Sequence, residues 1–253
     1  MEYVDVGVML PGAINFNDHN VNPTVKAHVK THDEVVVAYV KLVSARKLYI
    51  ECVCALLGRH LGLPIPKPMI VRVSSEDFPD IPAGQYGLAF GSQDAGYPSF
   101  RRYVNNHEAY EKLKEFTKTI DVGLFDEWVA NWDRNVGNIL YDGGKRFFFI
   151  DHENAIDPKL GHEDPAEKNQ LVDCIYAVKS EFEKYKLNRV IQTEVIPQYV
   201  DLPMAVISDK THAGSYLEEA DILSVINFLE MRVNSLGRLF SKRLKLAQQD
   251  MAI

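Results

Sequence analysis

The chain has 253 residues, of which 46% are hydrophobic and 25% charged. That is ordinary globular composition, so disorder as the default state is excluded and one domain or two lobes are expected. Lys and Arg number 28 against 35 Asp and Glu, a formal net charge of -7; with no basic stripe either, direct nucleic-acid binding is not expected.

The first clear strand runs Glu34 to Val43, β-branched and bounded by polar residues. Asn15 to His28 before it has turn composition and reads as a hairpin tip. A helix follows from Ala45 to Leu61, ended by Gly62 and Pro64. Met69 to Val73 and Gly84 to Ser92 read as further strands, and Gln93 to Pro98 as a lobe boundary. Beyond it the spacing predicts helices over Ala109 to Ile120 and Leu124 to Asn131. Short strands over Ile139 to Tyr141 and Arg146 to Ile150 are joined by the turn signal Asp142-Gly143-Gly144. The remainder is expected to hold at least two more helices, near Glu167 to Lys186 and Glu218 to Leu246. The expected fold is α+β, with a β-rich lobe over 1–93 and a helical lobe over 94–253. No apolar run approaches the roughly 18 residues of a membrane span, and Glu2 and Asp5 stand where a secretory signal would be basic. Cys52, Cys54 and Cys174 make no disulfide framework, so a reducing cytoplasm is the expected setting.

The segment from Asn131 to Asp151, NWDRNVGNILYDGGKRFFFID, carries the chemistry. Asp133 and Asn138 bound a short loop after a helix, and Asp151 ends the hairpin that Asn138 introduces. A tight hairpin sets its two ends side by side, so Asn138 and Asp151 can offer oxygen ligands to Mg²⁺, with Asp133 close by as a base for a hydroxyl nucleophile. Singly, each reads as a cap or a turn residue; jointly, the pattern is specific. Arg134 and Asn135 add polar groups to the same loop.

This pattern resembles the catalytic and metal-binding loops of the protein-kinase-like fold. Asp133-Arg134-Asn135 leading to Asn138-Ile139-Leu140, with Ile150-Asp151-His152 after the hairpin, is most similar to the HipA-like kinases; phosphatidylinositol kinases carry a related loop. The lead-in Phe125-Asp126-Glu127-Trp128 and the exit Gly62-Leu63-Pro64-Ile65-Pro66 resemble the same group. The resemblance covers about Val35 to Ile156 and implies a bilobal kinase fold that binds ATP and Mg²⁺. It implies that Lys41 holds the α- and β-phosphates, that Glu51 orients Lys41, that Asn138 and Asp151 bind the metal and that Asp133 is the base. Adenine is expected on the backbone near Phe90, Ser92 and Gln93. Taken alone, Lys41 reads as a snorkelling strand lysine and Glu51 as a surface partner of Lys47; the order of parts favours the kinase roles. The implied acceptor is a Ser or Thr hydroxyl on a protein, with a small-molecule or lipid hydroxyl as the alternative and room for a regulatory partner protein. A nucleotide-binding pseudokinase acting as an interaction module, and an adenylyltransferase on the same fold, are the other readings. No Gly-x-Gly-x-x-Gly loop precedes Lys41, so phosphate cradling would rely on backbone amides of an Asn-rich turn over 15–22 or on an ordering step when ATP binds.

Other features carry bland readings. His152, His162 and Glu163 match no zinc spacing and read as solvated loop residues. Cys52 and Cys54 read as core packing, and Ser44, Ser99 and Ser180 lack a nucleophile elbow. Arg238, Lys242, Arg243 and Lys245 read as cations favoured by a helix C-terminus.

Overall fold

The computed structural model describes residues 1–16, 22–176 and 179–246. The first part is strand-rich and the second helical. Strands β1 (Asp5–Met9), β2 (Ile14–Asn15), β3 (Thr24–Lys30), β4 (Val35–Lys41), β5 (Pro68–Ser74) and β6 (Tyr86–Gln93) form one sheet in the order β1-β5-β6-β4-β3-β2. β1 also pairs with β3, so five of the strands close into a barrel. β1 runs parallel to β5, and the remaining pairs are antiparallel. Closure removes the open edges that a small sheet would expose.

The barrel follows from period-two patterning. Val36, Ala38 and Val40 of β4 point inward, as do Val25, Ala27 and Val29 of β3. Lys41 therefore falls on the outer face with Tyr39, and opposite it in register is Phe90 of β6. β3 corrects the reading of Asn15 to His28 as a turn, because Lys26, His28 and Lys30 on the outer face hide the alternation. The tip, 17–21, lies outside the described residues. β1 was not anticipated; Gly7 interrupts its apolar pattern for a steric reason. A Cβ there would stand 2.5 Å from Val29 Cγ1 and 3.0 Å from the Lys30 carbonyl oxygen. Gly7→Ala is expected to destabilise the protein by about 1–3 kcal/mol through overpacking at barrel closure; thermal unfolding checks this, and an unchanged midpoint would mean that β1 and β3 part easily.

Helix α1 (Ala45–His60) follows β4. Ser44 caps it through the Lys47 N–H, and Gly62, at φ 71°, takes the left-handed position after its end. Every residue from Leu48 to Gly58 is buried, so α1 is enclosed on all sides and belongs to the larger core, together with the helical part. Cys52 and Cys54 are buried free thiols within it; the side chain of Cys174 lies outside the described residues.

The helical part differs from the expected boundaries. α2 (His107–Glu115) starts early because Asn106 caps Ala109, and it ends where Phe116 turns extended. α3 (Thr119–Trp128) follows at once. Ala130 then adopts φ 53°, so Asn131 lies outside the helix that was expected to contain it. The hairpin of β7 (Ile139–Tyr141) and β8 (Phe147–Phe149) is as expected. In its turn, Asp142 accepts from the N–H groups of Gly144 and Arg146 at 2.7 and 3.0 Å. The helix expected over 167–186 is two, α4 (Gln170–Tyr176) and α5 (Glu181–Val190), the second begun by a capping box of Ser180 and Glu183; 177–178 lie outside the described residues. α5 continues through a π turn into α6 (Ile196–Val200), α7 (Ile207–Lys210) is a single turn, and α8 (Glu219–Arg243) is the longest helix. Arg243 near its end does more than favour the dipole: it pairs with buried Glu127 at 3.1 Å, and Arg232 donates to the Glu127 carbonyl at 3.0 Å. Among the described residues no helix is long and apolar enough to cross a membrane.

Candidate functional site

The ends of β4, α1 and the β7–β8 hairpin converge on one cleft. Lys41 is the last residue of β4, and its ammonium meets three carboxylates: Glu51 at 2.5 Å, Asp151 at 2.7 Å and Glu153 at 3.0 Å. Glu51 lies one helical turn or more inside α1 and is almost fully enclosed, a position that a charged carboxylate tolerates only with a partner. Its second oxygen accepts the His152 N–H at 2.9 Å, which ties α1 to the end of the hairpin.

Burial opposes the charge on Lys41, but Glu51, Asp151 and Glu153 override it and hold its pKa above the ordinary lysine value. Burial likewise works against ionised Glu51, yet Lys41 and His152 hold its carboxyl well below the usual range. Burial dominates at Asp151, and with the charges of Glu51 and Glu153 it raises that pKa in spite of Lys41. Glu153 is shared: it also accepts from Lys47 at 3.1 Å and from the Asn22 amide at 2.6 and 2.8 Å. Asn22 thus ties the start of β3 across to the segment after the hairpin. Lys47, the surface partner considered for Glu51, pairs with Glu153 instead.

Asp133 does not line the cleft itself. Its carbonyl accepts the Asn138 amide at 2.9 Å and the Asn135 amide at 3.0 Å, which folds the loop back on itself. Its carboxylate accepts from Asn154 at 3.0 Å, and Asn154 in turn accepts from Lys47 at 3.2 Å. Using its nitrogen on Asp133 leaves the Asn138 oxygen as its atom for a cation. Asn138 and Asp151 both line the cleft, as do Phe90, Ser92 and Gln93. The structure therefore joins Lys41, Glu51 and Asp151 directly, sets Asn138 and the β6 residues on the same walls, and hangs Asp133 from Asn138.

Beneath this lies a buried frame. Arg134 makes a two-pronged bond to Asp126, with both distances 2.9 Å, and both side chains are inaccessible. Arg134 also donates to the carbonyls of Asn138 and Ile150, one at each end of the hairpin. Its third contact is His152 Nε2 at 3.0 Å. Arginine only donates, so Nε2 accepts and the ring proton sits on Nδ1. This corrects the reading of His152 as a solvated loop residue: it is buried, packed edge-on against Phe125, because the hairpin end passes under α1. His162 and Glu163 are partly and largely exposed. Ala130, Asp151 and Ile156 hold φ values of 53°, 67° and 54°, around the site. Such positions cost about 1–3 kcal/mol each and persist only where their surroundings impose them; the bond from the Ile156 N–H to the Val129 carbonyl, at 2.9 Å, is one such restraint.

The residues present fit a divalent cation beside a phosphate-bearing ligand. The donors at Asn138, Asp151 and Glu153 are all hard oxygens, and Lys41 is a fixed cation beside them. Glu51, Asp151 and Glu153 have carboxylate oxygens within 4.8 Å of one another. Sequence reasoning missed Glu153, Asn154 and the Asp126–Arg134 pair. Asp126, a charge beside Glu127 inside the otherwise apolar run Val122 to Ala130, is the signal that could have revealed the frame.

Comparison with curated proteins gives no match. Among solved structures, the fold is similar to that of the Helicobacter pylori proinflammatory kinase CtkA, with a TM-score of 0.52 and 12% identity over 94% of this chain and 96% of that one. At that identity the likeness speaks for the fold. The sequence pattern described as HipA-like kinase matches residues 30–186, more than half of the chain and the whole stretch from Lys41 to Glu153. The chain belongs to the HipA-like kinase family.

Proposed function

We propose that this kinase is an ATP- and Mg²⁺-dependent phosphotransferase that moves the γ-phosphate to a Ser or Thr hydroxyl on a protein. The observation that carries the reading is the grip of Lys41 on Glu51 of α1 and Asp151 of the hairpin within one cleft. Phosphoryl transfer asks the protein mainly for positioning and charge neutralisation. Lys41 holds the α- and β-phosphates, and Glu51 keeps the ammonium aimed at them. Adenine lies along Phe90, Ser92 and Gln93. Because β6 is paired on both sides and the Gln93 N–H donates to Lys67, main-chain recognition falls to Ala95 and Tyr97, where the chain leaves the sheet. Asn138 and Asp151 hold Mg²⁺, which when bound neutralises charge on the phosphoryl oxygens. Asp133 orients the acceptor hydroxyl and takes its proton. Glu153, held by Lys47 and Asn22, offers a further oxygen beside Asp151 and competes with phosphate for Lys41.

The deciding experiment is transfer of radiolabel from γ- and α-labelled ATP, in parallel, to the protein itself, a generic protein and a cell lysate. Label from the γ position alone supports the reading. Label from the α position makes the protein an adenylyltransferase, and ATP binding without transfer makes it a nucleotide-binding interaction module. Asp151→Ala is expected to weaken Mg·ATP binding by at least about ten-fold, since it removes the carboxylate proposed to hold the metal with Asn138; calorimetry showing unchanged affinity would remove Asp151 from the metal site.

A further inference from the structure

The cleft has a rim of unusual charge. Arg101 and Arg102, in the short turn Phe100–Tyr103, line the same cleft as Lys41, Asn138 and Asp151, and both are exposed. Among the described residues neither guanidinium is paired with a carboxylate. Arg46, Arg59, Arg134, Arg232, Arg238 and Arg243 each meet one; among the same residues Arg72, Arg146 and Arg189 do not, but they do not line the cleft. In a chain of net charge -7, two adjacent unpaired arginines at the mouth of a cleft stand out.

Their placement is built rather than incidental. Phe100, the first residue of the turn, is fully buried and anchors it. Ser99 donates to the carbonyls of Val136 and Gly137 at 3.4 and 3.3 Å and bridges to Leu140, which fastens the turn to the loop that begins at Asp133. The glycine at 137 makes room for the guanidinium: a Cβ there would collide with Nη2 of Arg101 and stand 2.8 Å from Asn135 Oδ1. Arg101 therefore rests on the residue next to Asn138. Lys41 and its carboxylates lie deeper and on the strand side of the cleft, and only 15% of the Lys41 side chain is exposed. The rim is where a macromolecular acceptor arrives.

We propose that Arg101 and Arg102 select an acidic acceptor, a protein segment with Asp or Glu flanking the hydroxyl to be phosphorylated. The proposal rests on the kinase reading above for the word acceptor, and it concerns a binding preference that can be measured without turnover. Guanidinium and carboxylate match as paired donors and acceptors, and opposite charge at a rim favours encounter as well as register.

The test uses the full chain with Mg²⁺ and a non-hydrolysable ATP analogue. Fluorescence anisotropy reads the binding of a labelled serine peptide with acidic flanks and of its lysine-flanked counterpart. The wild type is expected to prefer the acidic peptide by roughly ten-fold at low salt, the size of two exposed ion pairs together, and to lose that preference as salt rises. Arg101→Ala with Arg102→Ala is expected to abolish the preference, and Arg101→Glu with Arg102→Glu to reverse it, with Mg·ATP affinity unchanged by calorimetry. Equal binding of the two peptides by the wild type would overturn the proposal. So would a loss of ATP affinity in the double variants with acidic-peptide binding intact, because the arginines would then serve the nucleotide. Selective binding of the acidic peptide, lost in the double variants, in a protein that transfers no phosphate to any acceptor would uphold this proposal and defeat the kinase reading instead.

Discussion

Replacing Asp133 by asparagine is expected to lower phosphoryl transfer by about 10²- to 10⁴-fold, the usual contribution of a positioned general base. Asparagine keeps the shape of the side chain and can still accept the Asn154 amide through its one oxygen, giving up the 3.5 Å contact from the Asn135 amide, so the loop should survive. The Asp133 carbonyl that receives the Asn138 and Asn135 amides is main chain and does not change. Asp133 shares no hydrogen bond or ion pair with Lys41, Glu51 or Asp151, so Mg·ATP affinity should stay within about two-fold, a difference well under 1.4 kcal/mol. The two readouts therefore separate: single-turnover transfer collapses while calorimetry hardly moves. Transfer close to the wild-type rate would remove Asp133 as base and leave positioning alone to explain the chemistry. A parallel loss of ATP affinity would show instead that Asp133 shapes the metal site through Asn138.

Why some of this was legible in the sequence and some was not has a physical basis. A charge inside an apolar strand stands out, and Lys41 is such a charge. Its side chain had to leave the barrel interior, because Val36, Ala38 and Val40 fix which face points inward. The hairpin was legible because Asp142, Gly143 and Gly144 suit a tight turn, and Gly143 indeed holds φ 80°. That turn sets Asn138 and Asp151 on walls of one cleft, as the spacing implied. Three features resisted. Strand β3 is polar on the face that looks outward, so its alternation passed for a turn. The helix expected over 109–120 breaks at Phe116, where packing overrides a continuous helical pattern: Thr119 folds its hydroxyl back onto the Leu113 carbonyl at 2.6 Å. Glu153 and His152 sit in a polar stretch that reads as loop. What decides their burial is the passage of that stretch under α1, a contact across 101 residues of sequence between His152 and Glu51.

The largest effect on stability is expected from Arg134→Met. Arg134 and Asp126 are inaccessible to solvent, and the pair is held by two bonds of 2.9 Å. Removing one partner leaves a buried charge with poor compensation, which costs about 3–5 kcal/mol. Asp126 would keep only the Asn131 amide, at 3.1 Å. The substitution also releases the carbonyls of Asn138 and Ile150, which Arg134 staples from the two ends of the hairpin. For a chain of this size the unfolding midpoint should drop on the order of 10 °C. The cause can be isolated with a second change. Asp126→Leu alone strands the guanidinium, whereas Asp126→Leu with Arg134→Met removes both charges and should recover part of the loss, since a buried pair is often replaceable by apolar side chains of similar volume. Recovery of stability without recovery of phosphoryl transfer would show that the pair holds Asn138 and Asp151 in register as well as holding the fold. If the double variant is no more stable than Arg134→Met, the released carbonyls rather than the orphaned carboxylate carry the cost. A midpoint within about 2 °C of the wild type for Arg134→Met, at most about 1 kcal/mol, would show that the frame beneath the cleft is dispensable.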